Sequence, residues 1–407
     1  MRKIIVLVIL VLTLGVLAAC SNEGVNEPEA TDPEVNTETG QENEQEQALD
    51  GGLLHLNTKN VTRLNSADPY EVSILTAQTI WPATHEANRP GTIILAPLDK
   101  WQLSLASLTL VHHPNDGPLL FTNEGSIPDS ILNEVERLNP KGNVEGTQIM
   151  VLGQLNEGEL EKLSDYEIFQ IEEEDPAAFA SEIDEFYAKL INDVTESIII
   201  GSLDETAKAY TTIAGSWITH MNESLLYVSE NEIPAETIIS LEKRSGNASI
   251  YVVGPESIIS NEVLNQLSDY GEVTRISGES PAQVSIEFAM FKDPVTNFGW
   301  GITSPGHGIV MVPTSNTELA IASAPFAHLG KHAPMVWLEG GEFTEEMHEY
   351  LAILKPMFEN DPTEGPYNHV YLIGSEQLVS FKTQGFIDEM LEIVPADSDG
   401  AGGHGTH

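Results

Sequence analysis

The chain has 407 residues, of which 63 are acidic and 18 are Lys or Arg, so its formal net charge is −45. A surface this acidic repels nucleic acid and anionic lipid headgroups, which excludes nucleic acid as a partner, and it is commonly a means of solvation. The single cysteine, Cys20, excludes an internal disulfide, so the stability of the fold must come from packing. The length is enough for two or three domains.

The N-terminus has the pattern of a secretory signal. Arg2 and Lys3 precede an apolar run from residue 4 to 18, which is too short and too one-sidedly flanked for a transmembrane helix. The run ends Leu17-Ala18-Ala19-Cys20, which resembles the lipobox of bacterial lipoproteins. The resemblance implies removal of residues 1–19 and a lipid on Cys20. The alternative is an ordinary signal cleavage beside an incidental cysteine.

The segments at the two ends of the mature chain predict little structure. Residues 21–50 contain ten Asp or Glu and no Lys or Arg, and such a segment cannot bury enough apolar surface to offset the entropy of ordering it. We therefore expect residues 20–50 to form a lipidated, disordered acidic tether. Residues 397–407 predict a flexible tail, whose Asp397-Ser398-Asp399-Gly400 lacks the acidic residue that would close a calcium loop.

One short stretch recurs and organises the rest of the chain. Residues 61–73 and 273–285 share Val-Thr-Arg, a later Pro and a final Val-Ser at matching positions, and a blurred copy lies at 168–180. Recurrence at a fixed period predicts an internal repeat. In each copy a strand end leads to a helix-capping residue and a proline, which predicts a strand-to-helix joint. The caps are Asp68, Asp175 and Ser280, and Glu71 and Gln283 complete two predicted capping boxes.

Between the joints, the same blocks follow in the same order three times. Each unit has an apolar strand, a helix of small residues, a second apolar strand, a helix, a third strand ending on glycine and a last helix. Strands without polar alternation suit parallel sheets that are buried on both faces, so the pattern predicts an α/β fold with right-handed βαβ crossovers. The predicted units are 51–165, 166–272 and 273–396, with small-residue helices at 103–110, 207–214 and 319–329.

These blocks resemble the bacterial cell wall-binding repeat family 2, which occurs in tandem threes on surface proteins of Gram-positive bacteria. The similarity spans residues 60–395. The matching segments are Arg63…Ala67-Asp68-Pro69-Tyr70-Glu71, Pro118-Leu119-Leu120-Phe121-Thr122, Val151-Leu152-Gly153 and Ala324-Pro325-Phe326-Ala327. The resemblance implies three tandem Rossmann- or Toprim-like parallel-sheet units packed about a pseudo-threefold axis. It also implies an anionic cell-wall polymer as the ligand.

The resemblance further implies which residues bind that ligand. Arg63, Arg275 and Thr122 stand at positions that match the family pattern, and arginine is a natural bidentate partner of phosphate or carboxylate. The family's second arginine is absent, and its place is taken by Pro69, Pro176 and Pro281. The alternative for the two arginines is an inter-repeat salt bridge, because an arginine in so acidic a chain readily finds a carboxylate.

The sequence predicts no metal site, no cofactor and no catalytic activity. His328 and His332 are four residues apart, but two donors do not make a metal site, and His112 and His113 are adjacent and point to different faces of a helix. No glycine-rich phosphate loop follows any strand, and no nucleophile–base set is visible. An enzyme on this fold would carry its site at the carboxyl ends of the strands.

These observations predict a non-catalytic lipoprotein on the outer face of the cell membrane, anchored by lipid and facing the cell wall. Its repeats would bind wall polymer and bridge the membrane and the envelope. The alternative is an extracytoplasmic protein-interaction or sensory scaffold whose repeats have lost polymer binding. The acidic surface and the missing second arginine keep that alternative open.

Overall fold

The computed structural model of the chain describes residues 57–329 and 332–396. Within these residues, three four-stranded parallel sheets form the framework, and a two-stranded parallel pair is added in the last third of the chain. The predicted α/β fold with repeated parallel-sheet units is confirmed. The predicted signal, Cys20, the acidic tether and the C-terminal tail lie outside the described residues.

The first repeat begins with strand β1 (Val61–Leu64) and helix α1 (Pro69–Ile80). It continues with β2 (Ile93–Pro97), α2 (Trp101–Ser107), β3 (Leu119–Thr122), α3 (Asp129–Leu138), β4 (Ile149–Leu152) and α4 (Glu157–Glu161). Every residue of β2, β3 and β4 is buried. Successive residues of β2 enter two different core clusters, because side chains alternate between the faces of a sheet and both faces are covered.

The second repeat follows the same order. Its elements are β5 (Ile168–Ile171), α5 (Pro176–Ile191), β6 (Ser197–Ser202), α6 (Lys208–Thr211), α7 (Ala214–His220), β7 (Leu225–Val228), α8 (Ala235–Glu242), β8 (Ala248–Val253) and α9 (Asn261–Leu267). The small-residue helix predicted at 207–214 is split into α6 and α7, and it extends to His220.

The third repeat is longer. Its elements are β9 (Gly271–Ile276), α10 (Pro281–Met290), β10 (Gly308–Pro313), α11 (Glu318–Ser323), β11 (Met335–Leu338), α12 (Glu345–Ile353), β12 (Met357–Phe358), β13 (His369–Ile373), α13 (Phe381–Met390) and β14 (Val394–Pro395). β12 and β14 form the two-stranded pair.

In each joint, the strand and the helix belong to different repeats. The strand completes the sheet of one repeat, and the helix that follows it packs on the sheet of another. β5 pairs with β4 and β9 pairs with β8, which gives the sheet orders β3-β2-β4-β5 and β7-β6-β8-β9. β1 pairs with β13, with Val61 opposite Val370, in the order β1-β13-β10-β11. The joint helices α1, α5 and α10 instead pack on β3, β7 and β11 of their own repeats. The exchange is cyclic, so the three repeats form a closed ring about a pseudo-threefold axis.

The three joint helices begin at the predicted prolines, and the predicted caps are confirmed. Asp68 accepts a hydrogen bond from the backbone N–H of residue 70, and Ser280 accepts one from that of residue 283. Asp175 accepts two, from residues 177 and 178. Each bond satisfies a donor at the helix start that has no partner within the helix.

The two predicted capping boxes are wrong. Glu71 accepts a hydrogen bond at 2.6 Å from the hydroxyl of Ser66, whose oxygen itself takes the backbone N–H of Asp68. Gln283 accepts from the backbone N–H of Glu279, one residue before the cap. In a capping box, the side chains of Glu71 and Gln283 would accept from the backbone N–H of the capping residue. In both joints they bond instead to a residue that precedes the cap.

The small-residue helices meet at the centre of the ring. α7 packs against two 3₁₀ turns, Leu108–Val111 of the first repeat and Ala324–Ala327 of the third. A side-chain carbon on Gly215 would lie 3.0 Å from both Leu105 and Leu108 and 4.0 Å from Ala324. The close approach of three backbones explains why these helices are built from small residues.

Candidate ligand-binding edges

The carboxyl ends of the strands gather at one edge of each sheet, because all four strands run parallel. In the order β3-β2-β4-β5 the direction of crossover reverses between β2 and β4, and the crevice beside such a reversal is where open parallel sheets bind ligands. A glycine with positive φ follows the third strand of each repeat: Gly153, Gly254 and Gly374. That backbone conformation, which favours glycine, turns the chain away from the edge. We name the carboxyl ends of the strands of each four-stranded sheet, together with the loops that follow them, the carboxyl edge of that repeat.

Arg63 lies on β1 beneath the carboxyl edge of the third repeat, and only 1% of it is exposed. Its Nε donates to the side-chain oxygen of Gln384 at 2.8 Å, and its Nη1 donates to the carbonyls of Val379 at 2.8 Å and Gly374 at 3.3 Å. Its Nη2 donates to the carbonyl of Ser380 at 3.4 Å. Burial lowers the pKa of this guanidinium, and the charge of Glu376 acts in the opposite direction. The side chain therefore fastens β1 to the loop between β13 and α13.

Arg275, on β9, repeats part of this arrangement at the carboxyl edge of the second repeat, where β9 pairs with β8. Its Nη1 donates to the carbonyl of Gly254 at 2.8 Å, and its Nη2 donates to that of Ile259 at 2.7 Å. The side chain is half-buried, which lowers the pKa of its guanidinium. At the carboxyl edge of the first repeat, the same position is held by Gln170 of β5, whose amide reaches the carbonyl of Gly153 at 3.5 Å. The three joint residues share one target, the carbonyl of the glycine after the third strand.

The predicted salt bridges are not found: among residues 57–329 and 332–396, neither Arg63 nor Arg275 has a carboxylate within ion-pairing distance. Both guanidinium groups are engaged by backbone carbonyls instead. A ligand-binding role for these arginines stays a prediction from the family resemblance.

Thr122 ends β3 and is 2% exposed, with its backbone in register with Pro97. The carboxyl edge beyond it holds a polar cleft of about 230 Å³. Lys100 and Glu174 lie in this cleft and form an ion pair at 2.6 Å, and Asn156 lines the cleft beside them. Amide, ammonium and carboxylate groups together can donate to and accept from a polar ligand.

The other two carboxyl edges are also polar. Asp204 follows β6, and its carboxylate accepts from the hydroxyl of Ser202 at 3.1 Å and from the backbone N–H of Glu230 at 2.9 Å. This bonding ties the ends of β6 and β7 together. In the third repeat a shallow cleft is lined by Ser66, Ser375 and Glu376. The three edges thus offer mainly hydrogen-bond acceptors and negative charge.

Two pairs of histidines that are far apart in the sequence lie in contact in the structure. His112 and His328 are in ring contact, and so are His220 and His332. Within the described residues, no group of three or more His, Cys, Asp or Glu side chains is arranged to hold a metal ion. A signal for the convergence was present in the sequence, because each small-residue segment ends in a histidine: His112, His220 and His328.

A second sequence motif marks the loops whose carbonyls the two joint arginines bind. The loop after the third strand reads Gly374-Ser-Glu-Gln-Leu-Val-Ser in the third repeat and Gly254-Pro-Glu-Ser-Ile-Ile-Ser in the second. The shared Gly, Glu, paired apolar residues and Ser end at the caps of α13 and α9. This motif supplies the carbonyls that Arg63 and Arg275 bind, so it identifies the partners of the joint arginines.

No family model matches the chain, and no curated protein sequence matches it. Solved structures that share its fold include two proteins from Clostridium difficile. Cwp8 from Clostridium difficile is 18% identical over 82% of this chain and 52% of its own, with a TM-score of 0.62. Cwp6 from Clostridium difficile is 15% identical over 78% of this chain and 46% of its own, with a TM-score of 0.60. The chain thus spans about half the length of each of these proteins.

None of the helices between residues 57 and 396, the two undescribed residues apart, combines the length and the apolar character needed to cross a bilayer.

Proposed function

We propose that the chain is a non-catalytic cell-envelope module, held at the outer face of the membrane by lipid on Cys20 and contacting the cell wall through its repeats. The observation that carries this proposal is the fold of three parallel-sheet repeats, because its similarity to the cell wall proteins Cwp6 and Cwp8 covers 78% and 82% of this chain. The lipobox-like segment and the family resemblance of the joints support the same function.

We assign the wall contact to the carboxyl edges, and first to the cleft of the first repeat. Lys100 is the cation in that cleft, and Asn156 and Gln154 add amide donors and acceptors around it. Arg63 and Arg275 act as positioning residues, because their hydrogen bonds hold the loops that form the edges. An anionic polymer of the wall is the ligand that the resemblance implies.

Sedimentation with purified cell wall tests the contact. The protein is mixed with walls that retain or lack their secondary polymers, across a salt series, and the bound fraction is measured. We expect binding that needs the polymer and weakens with salt, because it rests on charge. Lys100→Ala should reduce it, whereas Lys189→Ala, on α5 and also paired with a glutamate, should not. Polymer-independent binding, or no sedimentation at all, would contradict the proposal.

Fractionation of cells tests the anchor separately. The wild-type chain should stay with the membrane fraction, and Cys20→Ser, which removes the acceptor thiol, should release it. Retention in membranes of a serine variant from which residues 1–19 have been removed would show that lipid on Cys20 is not the anchor, without bearing on wall binding.

One observation favours the alternative of a protein-interaction scaffold. The guanidinium groups at the two joints are occupied by backbone carbonyls, and the carboxyl edges carry more carboxylates than cations. A scaffold would bind a basic protein partner at these edges. The same sedimentation experiment distinguishes the two functions, because a scaffold would not sediment with walls in a manner that depends on their secondary polymers.

A further inference from the structure

Each repeat contributes one histidine to the centre of the ring. His112 follows the turn Leu108–Val111, His220 ends α7, and His328 follows the turn Ala324–Ala327. These three elements pack against one another, so the three imidazoles meet at the junction of the three repeats. We name these residues, with the flanking His113 and His332, the histidine cluster.

The contacts within the histidine cluster cross between repeats. The rings of His112 and His328 lie edge to face, 5.2 Å apart. His328 Nε2 lies 3.0 Å from one carboxylate oxygen of Asp116, and His113 Nδ1 lies 3.1 Å from the other. The hydrogen bond from His328 lowers the pKa of Asp116, which keeps this carboxylate ionised. Asp116 therefore forms a hydrogen bond with His113 and with His328, but it makes no such bond to His112 or His220.

His220 makes the most direct imidazole contact. Its Nδ1 lies 3.3 Å from Nδ1 of His332, and its ring stacks on Trp300 with the ring centres 4.9 Å apart. A hydrogen bond between two ring nitrogens requires that one of them carry no proton. Protonation of both rings at Nδ1 would replace this bond with two like charges at contact distance. The pair is thus stable only while at least one ring is neutral.

The remaining groups around the histidine cluster are mostly neutral or acidic. Tyr187 shares a hydrogen bond of 3.0 Å with His112 Nδ1, and Trp217, which touches His220, donates to Glu223 at 3.2 Å. The charged and titratable groups that face His112 and His220 are His113, Asp116, Tyr187, Glu223, His328 and His332, with Lys292 acting on Glu223.

This setting favours neutral imidazoles at the centre. Burial, and then the charge of His328, lowers the pKa of His112 from 6.5 to about 4. Burial, and then the charge of His332, lowers the pKa of His220 to about 4. Between these values the unfolded chain binds more protons than the folded one, so this contribution to stability is complete above pH 6.5 and is lost as the pH falls towards 4. Burial raises the pKa of Glu223 to about 7, which opposes part of that loss.

We propose that the histidine cluster is a proton-sensitive junction, in which neutral imidazoles hold the three repeats together and protonation in acidic surroundings loosens the contact between them. The geometry requires this response, because the cluster places two pairs of imidazoles from different repeats in contact at the centre of a closed ring. The inference does not depend on wall binding or on the lipid anchor.

The test is the pH dependence of thermal unfolding of the complete chain, followed together with tryptophan fluorescence. From about pH 7 to about pH 5, we expect the Tm of the wild type to fall, because the unfolded chain takes up protons that the folded chain does not. We expect the emission to be quenched only as the pH falls to about 4, where His220 itself is protonated, because an imidazolium stacked on Trp300 quenches the indole. His220→Gln should flatten both changes. His348→Gln, which alters an exposed histidine on α12, should leave both as in the wild type.

His332→Gln keeps the experiment informative even where His220→Gln does not fold. His332 is exposed, and its removal takes away a like charge next to His220. The fluorescence titration should therefore move to higher pH in this variant. Unchanged Tm and fluorescence profiles in both cluster variants would overturn the proposal, as would a fluorescence titration that His332→Gln leaves in place.

Discussion

The three joints begin from similar sequences but differ in how firmly they are fastened. Arg63 is buried and donates to four groups, and Gln170 makes one contact of 3.5 Å. Arg275 is half-buried and donates to three groups: two carbonyls at 2.7–2.8 Å and the side-chain oxygen of Asn261 at 3.4 Å. The first place of Arg63 in this order follows the covalent path. β4 and β5, like β8 and β9, are joined by one short helix and its loops, whereas β1 and β13 are about 300 residues apart in the chain.

Side-chain hydrogen bonding is thus concentrated at the strand pair that no short covalent connection brings together. Bringing distant segments together costs more loop-closure entropy than pairing neighbouring strands. The ring must close between β1 and β13 without a short covalent connection. The hydrogen bonds of the buried guanidinium of Arg63 therefore hold these two strands together, whereas chain continuity helps to hold β4 to β5 and β8 to β9. Substitutions of the two arginines, of two helix caps and of Gln170 test this ranking, from the largest expected effect to the smallest.

Arg63→Ala should cause the largest loss. It leaves the carbonyls of Val379 and Gly374 buried without this partner and opens a cavity, so we expect the free energy of unfolding to fall by roughly 3 kcal/mol or more. Chemical denaturation measures the change. Arg63→Lys, which keeps the charge but not the planar fork, should recover only part of it. A loss below about 1 kcal/mol in the alanine variant would refute the special role of the ring closure.

Arg275→Ala should cost less, about 1–2 kcal/mol, because water can reach the carbonyls of Gly254 and Ile259 when the half-buried side chain is removed. The same denaturation experiment measures it. A loss equal to that of Arg63→Ala would mean that covalent continuity between β8 and β9 does not reduce the need for side-chain bonding.

The caps rank next. Asp175→Ala should destabilise by about 1 kcal/mol or somewhat more, and Asp68→Ala by less, because Asp175 accepts two backbone N–H groups and Asp68 accepts one. Asparagine at either position keeps an acceptor oxygen and serves as the control, with a small expected change. The reverse order of the two alanine variants would show that the hydrogen-bond count does not set cap strength here.

Gln170→Ala should have the smallest effect, within about 0.5 kcal/mol, because its single contact is at the limit of a hydrogen bond. Gln170→Glu is the companion variant: it places a carboxylate against the carbonyl of Gly153 and should destabilise more than alanine does. A loss above about 1 kcal/mol in the alanine variant would contradict the ranking of the three joints.

The candidate site was predictable only in part. The family resemblance selected Arg63, Arg275 and Thr122, and the structure places all three at or beneath the carboxyl edges. The burial of Arg63 could not be predicted, because nothing within the joint shows that α13 and its loop will cover that side chain. The sequence marks His112, His220 and His328 as equivalent residues at the ends of the three small-residue segments, but which rings come into contact depends on how the repeats pack.

By itself, the sequence determined the local structure. The proline and cap of each joint start a helix through hydrogen bonds within a few residues, and the non-alternating apolar runs form strands wherever both faces of a sheet are covered. Tertiary structure alone decided which sheet each joint strand completes, because a parallel strand edge offers the same backbone groups to any partner. It also decided which polar side chains the closed ring buries, since that depends on contacts between residues hundreds of positions apart.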